Sequence, residues 1–167
     1  MSRLRAPAFR VPDWGELFDS PQRLRRFGNV WPPFLFAGIR IVSIEPDWSA
    51  ATVRLDLNLI SRNYVGTQFG GSLFAMTDPF WMILLLHRLG PEYVVWDQRA
   101  EIEFLRPGQT DVHTDFVLDP AAVAEIREAA ADGDKVLRWF GNDIVDERGE
   151  IVARVRRQLY VRRRQQP

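Results

Sequence analysis

With 167 residues, 46 % of them apolar, the chain is the size of one ordinary domain and can fill a core. Its 22 basic and 22 acidic side chains leave a formal net charge of zero, so no global field favours nucleic acid or an anionic membrane. The lack of cysteine excludes disulfides, thiolate metal sites and a cysteine nucleophile, and two histidines, His87 and His113, are too few for a histidine-rich metal site.

The opening stretch MSRLRAPAFRVPDWGELF has no unbroken apolar run of the signal-peptide kind. The run PFWMILLL is too short for a bilayer, which needs roughly 20 residues, so a cytoplasmic protein is expected. Residues 13–28 read as a short amphipathic helix capped by Asp13 and stopped by Gly28. VWPPF at 30–34 reads as a rigid connector, because adjacent prolines oppose helix. AATVRLDLNL at 50–59 alternates, with Ala51, Val53, Leu55, Leu57 and Leu59 on one face, which is a half-buried strand. IRIVSIE at 39–45 is its expected partner, with PDWS as the turn.

Residues 70–89 read as one long helix ended by Gly90-Pro91. It is apolar nearly all round (Leu73, Phe74, Met76, Phe80, Trp81, Leu84), the mark of a buried helix. VVWDQRAEIEFL alternates late, setting Ala100, Ile102 and Phe104 against Arg99, Glu101 and Glu103. After the turn RPGQ, DVHTDFVL puts Val112, Thr114, Phe116 and Leu118 on one face. DPAAVAEIREAAADG has an Asp119 cap, proline at the first helical position and a glycine end, and reads as a surface helix. KVLRWFGNDIV and EIVARVRRQLYV are strands joined by DERG. The expected fold is α+β: a curved antiparallel sheet wrapped around one long helix. Residues 1–29 form an N-terminal helical extension and 30–167 the main part of a single globular domain.

Chemistry concentrates in NYVGTQFGGSLFAMTDPFWMILL, residues 63–85. The first N–H groups of a helix have no internal partner and carry the positive end of its dipole. Gly70 and Gly71 have no Cβ, so a carbonyl can approach that backbone closely, which makes an oxyanion site. Asp78 is a candidate general base for water, or a nucleophile that would form an anhydride. Gly70 and Asp78 lie about 12 Å apart along a continuous helix, so the two act on one carbonyl only if Asp78 comes from a second copy. Asn63 is a candidate organiser of the entrance, and Thr67, Gln68, Phe69, Gly71 and Ser72 are candidate substrate contacts. Ser72 has no base in reach of the motif to serve as a nucleophile. The competing reading makes Asp78 a structural carboxylate bonded to Asn63 or to a strand arginine, Asp78-Pro79 a break between two shorter helices, and Gly70-Gly71 a tight turn. The basic tail RVRRQLYVRRRQQ, with Arg154, Arg156 and Arg157, reads as a solvated strand end beside the acidic NDIVDERGE; coenzyme A phosphates or nucleic acid are the alternatives.

These residues resemble the hotdog-fold thioesterases. NYVGTQFGGSLFAMTDPFWMILL with VWDQRAEIEFLRPG is most similar to the thioesterase-like family described as a domain of unknown function (DUF4442), over roughly residues 30–163. The phenylacetyl-CoA-type branch of hotdog thioesterases has Asn, six residues on His-Gly-Gly, then an acid later in the helix. Asn63, Phe69-Gly70-Gly71 and Asp78 keep that spacing, with Phe69 at the histidine position. The resemblance implies an acyl-CoA thioesterase acting at a dimer-interface site: one subunit's helix entrance meets the other's acid. It further implies a homodimer that can pair into a homotetramer, and coenzyme A only as part of the substrate, with no cofactor and no metal. The alternative is a non-catalytic hotdog protein that binds acyl-CoA or another hydrophobic ligand, since Phe69 makes the entrance more apolar. A dehydratase would need a histidine at that position.

Overall fold

The structure, a computed structural model, describes residues 19–164. Its elements in chain order are α1 (Pro21–Gly28), α2 (Pro32–Ala37), β1 (Ile39–Ile44), β2 (Ala50–Leu55), α3 (Gly70–Ala75), α4 (Phe80–Leu89), β3 (Tyr93–Phe104), β4 (Val112–Val117), α5 (Pro120–Ala129), β5 (Val136–Asp146) and β6 (Ile151–Arg163). The strands form one sheet in the order β1-β2-β4-β5-β6-β3, every neighbouring pair antiparallel. The sheet curves around α3 and α4, the two halves of the central helix. No helix among the described residues is long and apolar enough to cross a membrane.

Period-two patterning becomes register directly. Ala51, Val53 and Leu55 of β2 are buried, as are Val112, Thr114 and Phe116 of β4, and the two strands pair through Val53↔Thr114. Leu57 and Leu59 depart from the expected stripe: β2 ends at Leu55, and Leu59 is 79 % exposed. The chain turns away there because Leu57 N–H donates to Asp111 Oδ1 (2.7 Å) instead of to a strand neighbour. The late alternation of β3 has a clear cause. Tyr93 and Val95 point inward, the pairing with β6 then shifts between Asp97 and Arg99, and beyond that bulge the even-numbered Ala100 and Ile102 turn inward.

α4 lies on the concave face and buries Phe80, Trp81, Leu84, Leu85 and Leu89. Phe116 fills the space beneath it, 5.1 Å from the Phe80 ring and 5.4 Å from Trp81. Each such fully buried side chain contributes about 1.5–3 kcal/mol. Trp81 keeps its polar end satisfied, with Nε1–H donating to Asn142 Oδ1 at 2.9 Å. α5 has the expected cap, Ala121 N–H donating to Asp119 Oδ1.

Three helix expectations change. The N-terminal helix begins at Pro21, with Ser20 as its cap; Asp19 and Ser20 are bends, and Asp13 lies outside the described residues. Leu24 of α1 joins the common core. The Pro32-Pro33 connector is itself the start of α2: the first turn of a helix needs no N–H from those positions, and proline's fixed φ suits it. Residues 70–89 are two helices and not one. Thr77 and Asp78 N–H groups bond three residues back, to Phe74 and Ala75 carbonyls, and the chain restarts after Pro79. Pro79 has no N–H to bond the Ala75 carbonyl and disfavours helical backbone at Asp78. The Asp78–Pro79 peptide bond is cis.

Candidate functional site

The loop from Asn63 to Phe69 is built around one side chain. Asn63 Oδ1 accepts from Val65 N–H (3.1 Å) and Thr67 N–H (3.0 Å), while Nδ2 donates to Thr67 Oγ1 (2.9 Å) and Gln68 O (3.2 Å). With both polar ends engaged, Asn63 is an organiser of the loop. Gln68 is buried and ties the loop to the sheet, donating from Nε2 to Leu55 O and Thr110 O. Its Oε1 is buried with no hydrogen-bond partner among the described residues.

α3 follows. Ser72 and Leu73 N–H groups both bond to Phe69 O. The Gly70 and Gly71 N–H groups have no acceptor among the described residues. Both glycines also serve packing. A Cβ on Gly70 would stand 3.1 Å from the Phe104 ring, and one on Gly71 would meet the Phe69 ring at 2.4 Å. Asn63, Thr67, Gln68 and Gly70 line one open cavity of about 470 Å³, which Phe104, Arg106 and Gly108 also line. Phe69, Gly71 and Ser72 lie outside that lining; Phe69 is 55 % exposed and Ser72 is buried.

Asp78 belongs to a different group of residues and does not line that cavity. It stands at the helix break with its side chain 57 % exposed, so its setting is not the buried one its apolar flanks suggest. Its neighbour is Arg157, with Nη1 3.7 Å from Asp78 Oδ2 and 3.8 Å from Asp97 Oδ2. Arg157 is 3 % exposed, a correction to the reading of the basic tail as a solvated strand end. Its Nε and Nη2 donate to Thr77 Oγ1 (3.2 and 3.1 Å), and Nη2 also donates to Phe74 O (3.2 Å). The guanidinium lies over the Phe74 ring at 4.9 Å. Burial pushes the Asp97 carboxyl above its ordinary value; Arg157 opposes this and Asp78 adds to it. Asp97 Oδ1 is buried with no hydrogen-bond partner among the described residues.

Sequence reasoning missed Asp97; it offered a strand arginine as the partner of Asp78 but did not single out Arg157, which the structure places there. The signal for Arg157 was present: it stands in the odd-numbered stripe Ala153, Val155, Leu159, Val161 of β6, all buried. Asp97 likewise continues the inward series Tyr93, Val95 of β3. His87 stacks on Trp48, ring centroids 3.7 Å apart, and His113 pairs across β4 with Arg54.

The model of the family described as a domain of unknown function (DUF4442) matches residues 22–161. The chain belongs to that family. Among solved structures it is similar to a protein of unknown function, called a probable thioesterase, from Pseudomonas aeruginosa: 20 % identity over 85 % of this chain and 95 % of that one, TM-score 0.76. A thioesterase from Haemophilus influenzae is 15 % identical over 85 % of this chain and 90 % of that one, TM-score 0.62. The PaaI protein of the E. coli phenylacetic acid degradation operon is 17 % identical over 85 % and 91 %, TM-score 0.55. These likenesses establish the hotdog fold. No curated protein matches the chain.

Proposed function

We propose that the protein hydrolyses an acyl thioester, with coenzyme A as the carrier of the acyl group. The observation that carries this is the entrance to α3. Two backbone N–H groups, those of Gly70 and Gly71, have no acceptors among the described residues, and Gly70 lines the 470 Å³ cavity. Donors of that kind, fixed before the reaction, stabilise the oxyanion that forms when a thioester carbonyl is attacked. Asp78 takes a proton from water as its oxygen bonds to the carbonyl carbon; the C–S bond then breaks and the thiolate leaves. Asn63 holds the entrance loop in shape. The fold shared with proteins named as thioesterases supports the same reading.

Asp78 acts in this scheme from a partner subunit, because it does not line the cavity of its own chain. β3 is the outer strand of the sheet beside β6, so one row of its backbone groups has no strand neighbour among the described residues and suits pairing with a second copy. Free-thiol release from short, medium, long and aromatic acyl-CoAs, wild type against Asp78→Asn, tests the activity. Turnover that collapses in the variant with the oligomer intact is expected. Mixing Asp78→Asn subunits with inactive Gly70→Val subunits tests the shared site: about a quarter of wild-type activity returns if random dimers each rebuild one of two sites. No recovery contradicts the sharing.

A second reading is a non-catalytic binder of acyl chains. It is favoured by an apolar cavity of about 230 Å³ beside the helix break, lined by Leu24, Trp31, Ile41, Pro79, Phe80 and Ile83, and by the exposed Phe69 at the entrance. Tight acyl-CoA binding with no thiol release from any substrate would select it.

A further inference from the structure

We propose that Arg157 is a positioning residue for the Asp78 carboxylate, held between Asp78 and Asp97 so that it orients the base without occupying it. The inference rests on the hydrolase reading above and extends it to a residue of the opposite end of the chain.

A guanidinium carries donors on three nitrogens in a rigid plane. In Arg157 two of the three are spent on the helix break, through Thr77 Oγ1 and Phe74 O. Those bonds fix the plane. The third nitrogen, Nη1, is then presented between two carboxylates at nearly equal distance, 3.7 Å from Asp78 and 3.8 Å from Asp97. Both distances are too long for a direct hydrogen bond and short enough for strong attraction at a half-enclosed site. The difference matters chemically. A carboxylate gripped by a forked arginine has its lone pairs occupied and is a poor base. Asp78 accepts no hydrogen bond from a described residue, is attracted from one side, and remains open to solvent on the other.

Asp97 supplies the opposing pull. It sits at the β3 bulge, its side chain 22 % exposed, and the bulge is what brings it and Ala100 inward within a few residues of each other. A cation 96 % buried in its side chain is costly unless anions compensate it. Arg157 meets that requirement with two carboxylates, of which only Asp97 is largely enclosed. A purely structural clamp on the helix break needs the bonds to Phe74 and Thr77 and the enclosed Asp97; it does not account for the exposed Asp78 at the same distance.

The test compares Arg157→Gln and Arg157→Lys with wild type, by kcat and KM on the best acyl-CoA, with folding and oligomeric state checked for each. Displacing the base lowers kcat about 100-fold in Arg157→Gln with KM little changed. Arg157→Lys restores a cation between the acids and recovers about tenfold of that loss, although its single ammonium cannot keep the fork of bonds. A folded Arg157→Gln protein with wild-type kcat overturns the proposal. So does equal impairment of both variants in proportion to lost stability, which is the behaviour of a structural clamp. If Arg157→Gln does not fold, the double variant Asp97→Asn/Arg157→Gln removes one uncompensated carboxylate and is judged by the same kcat criterion. Wild-type protein that hydrolyses no thioester fails the hydrolase reading itself, whereas active wild type with an unaffected variant fails only the role of Arg157.

Discussion

Thr77→Val removes one oxygen from the centre of the Arg157 anchorage and changes little else. Thr77 is fully enclosed, and its Oγ1 accepts from Arg157 Nε (3.2 Å) and Nη2 (3.1 Å) and donates to Phe74 O (2.8 Å). Valine has nearly the same shape, so no cavity forms. Nη2 keeps its bond to Phe74 O, but Nε is left buried without an acceptor. A hydrogen bond to a charged group is worth about 1.5–3 kcal/mol. Part of the loss is offset by about 0.8 kcal/mol from the apolar methyl, which leaves a net destabilisation of about 2 kcal/mol. Urea unfolding followed by tryptophan fluorescence at fixed protein concentration reads this as a midpoint about 1 M lower with unchanged slope, for a slope of about 2 kcal/mol/M. Thr77→Ser, which keeps the oxygen, loses only the burial of a methyl and serves as the control. A Thr77→Val midpoint within about 0.2 M of wild type would refute the anchoring of Arg157 by Thr77.

Asp97→Asn is expected to flatten the dependence of stability on pH. Burial lifts the Asp97 carboxyl above its ordinary 3.8 in the folded protein, so the folded state binds that proton more tightly than the unfolded chain. This contribution to stability is fully present below pH 3.8 and is lost as pH rises through the higher folded value. The wild type therefore loses stability relative to the variant across that window, and the difference is constant below it; calorimetric Tm against pH measures this, and a difference that does not change across the window contradicts the argument. Asn63→Ala removes four hydrogen bonds from the entrance loop. Faster amide exchange at Val65 and Thr67, with a stability loss of about 1–2 kcal/mol, is expected; unchanged exchange at both would show that the loop stands without it.

Strand identity was legible in β2 and β4 because burial alternates along them, although β2 ends at Leu55 short of its run. β5 and β6 lie on the two strands expected either side of DERG, and α5 has its Asp119 cap and Pro120 start. The spacing of Asn63, Gly70 and Asp78 was equally visible, since it is local to one segment. That Gly70 and Asp78 serve separate surroundings was read as a distance along one helix, with a break at Asp78-Pro79 as the alternative; the break is what the structure has, and the separation is set by how two short helices pack.

The rest depended on partners distant in the chain. An arginine in an apolar stripe reads as an interruption of the stripe or as a solvated end, because burying its charge alone is prohibitive. Only folding brings Thr77, Asp78 and Asp97 to Arg157, across as many as 80 residues, and makes the burial tolerable. A β-bulge, one unpaired residue with no mark in composition, turned Ile102 inward past Asp97. Pattern along the chain therefore settled which residues face the core, while the sheet's register and the packing of the broken helix decided which charges meet there.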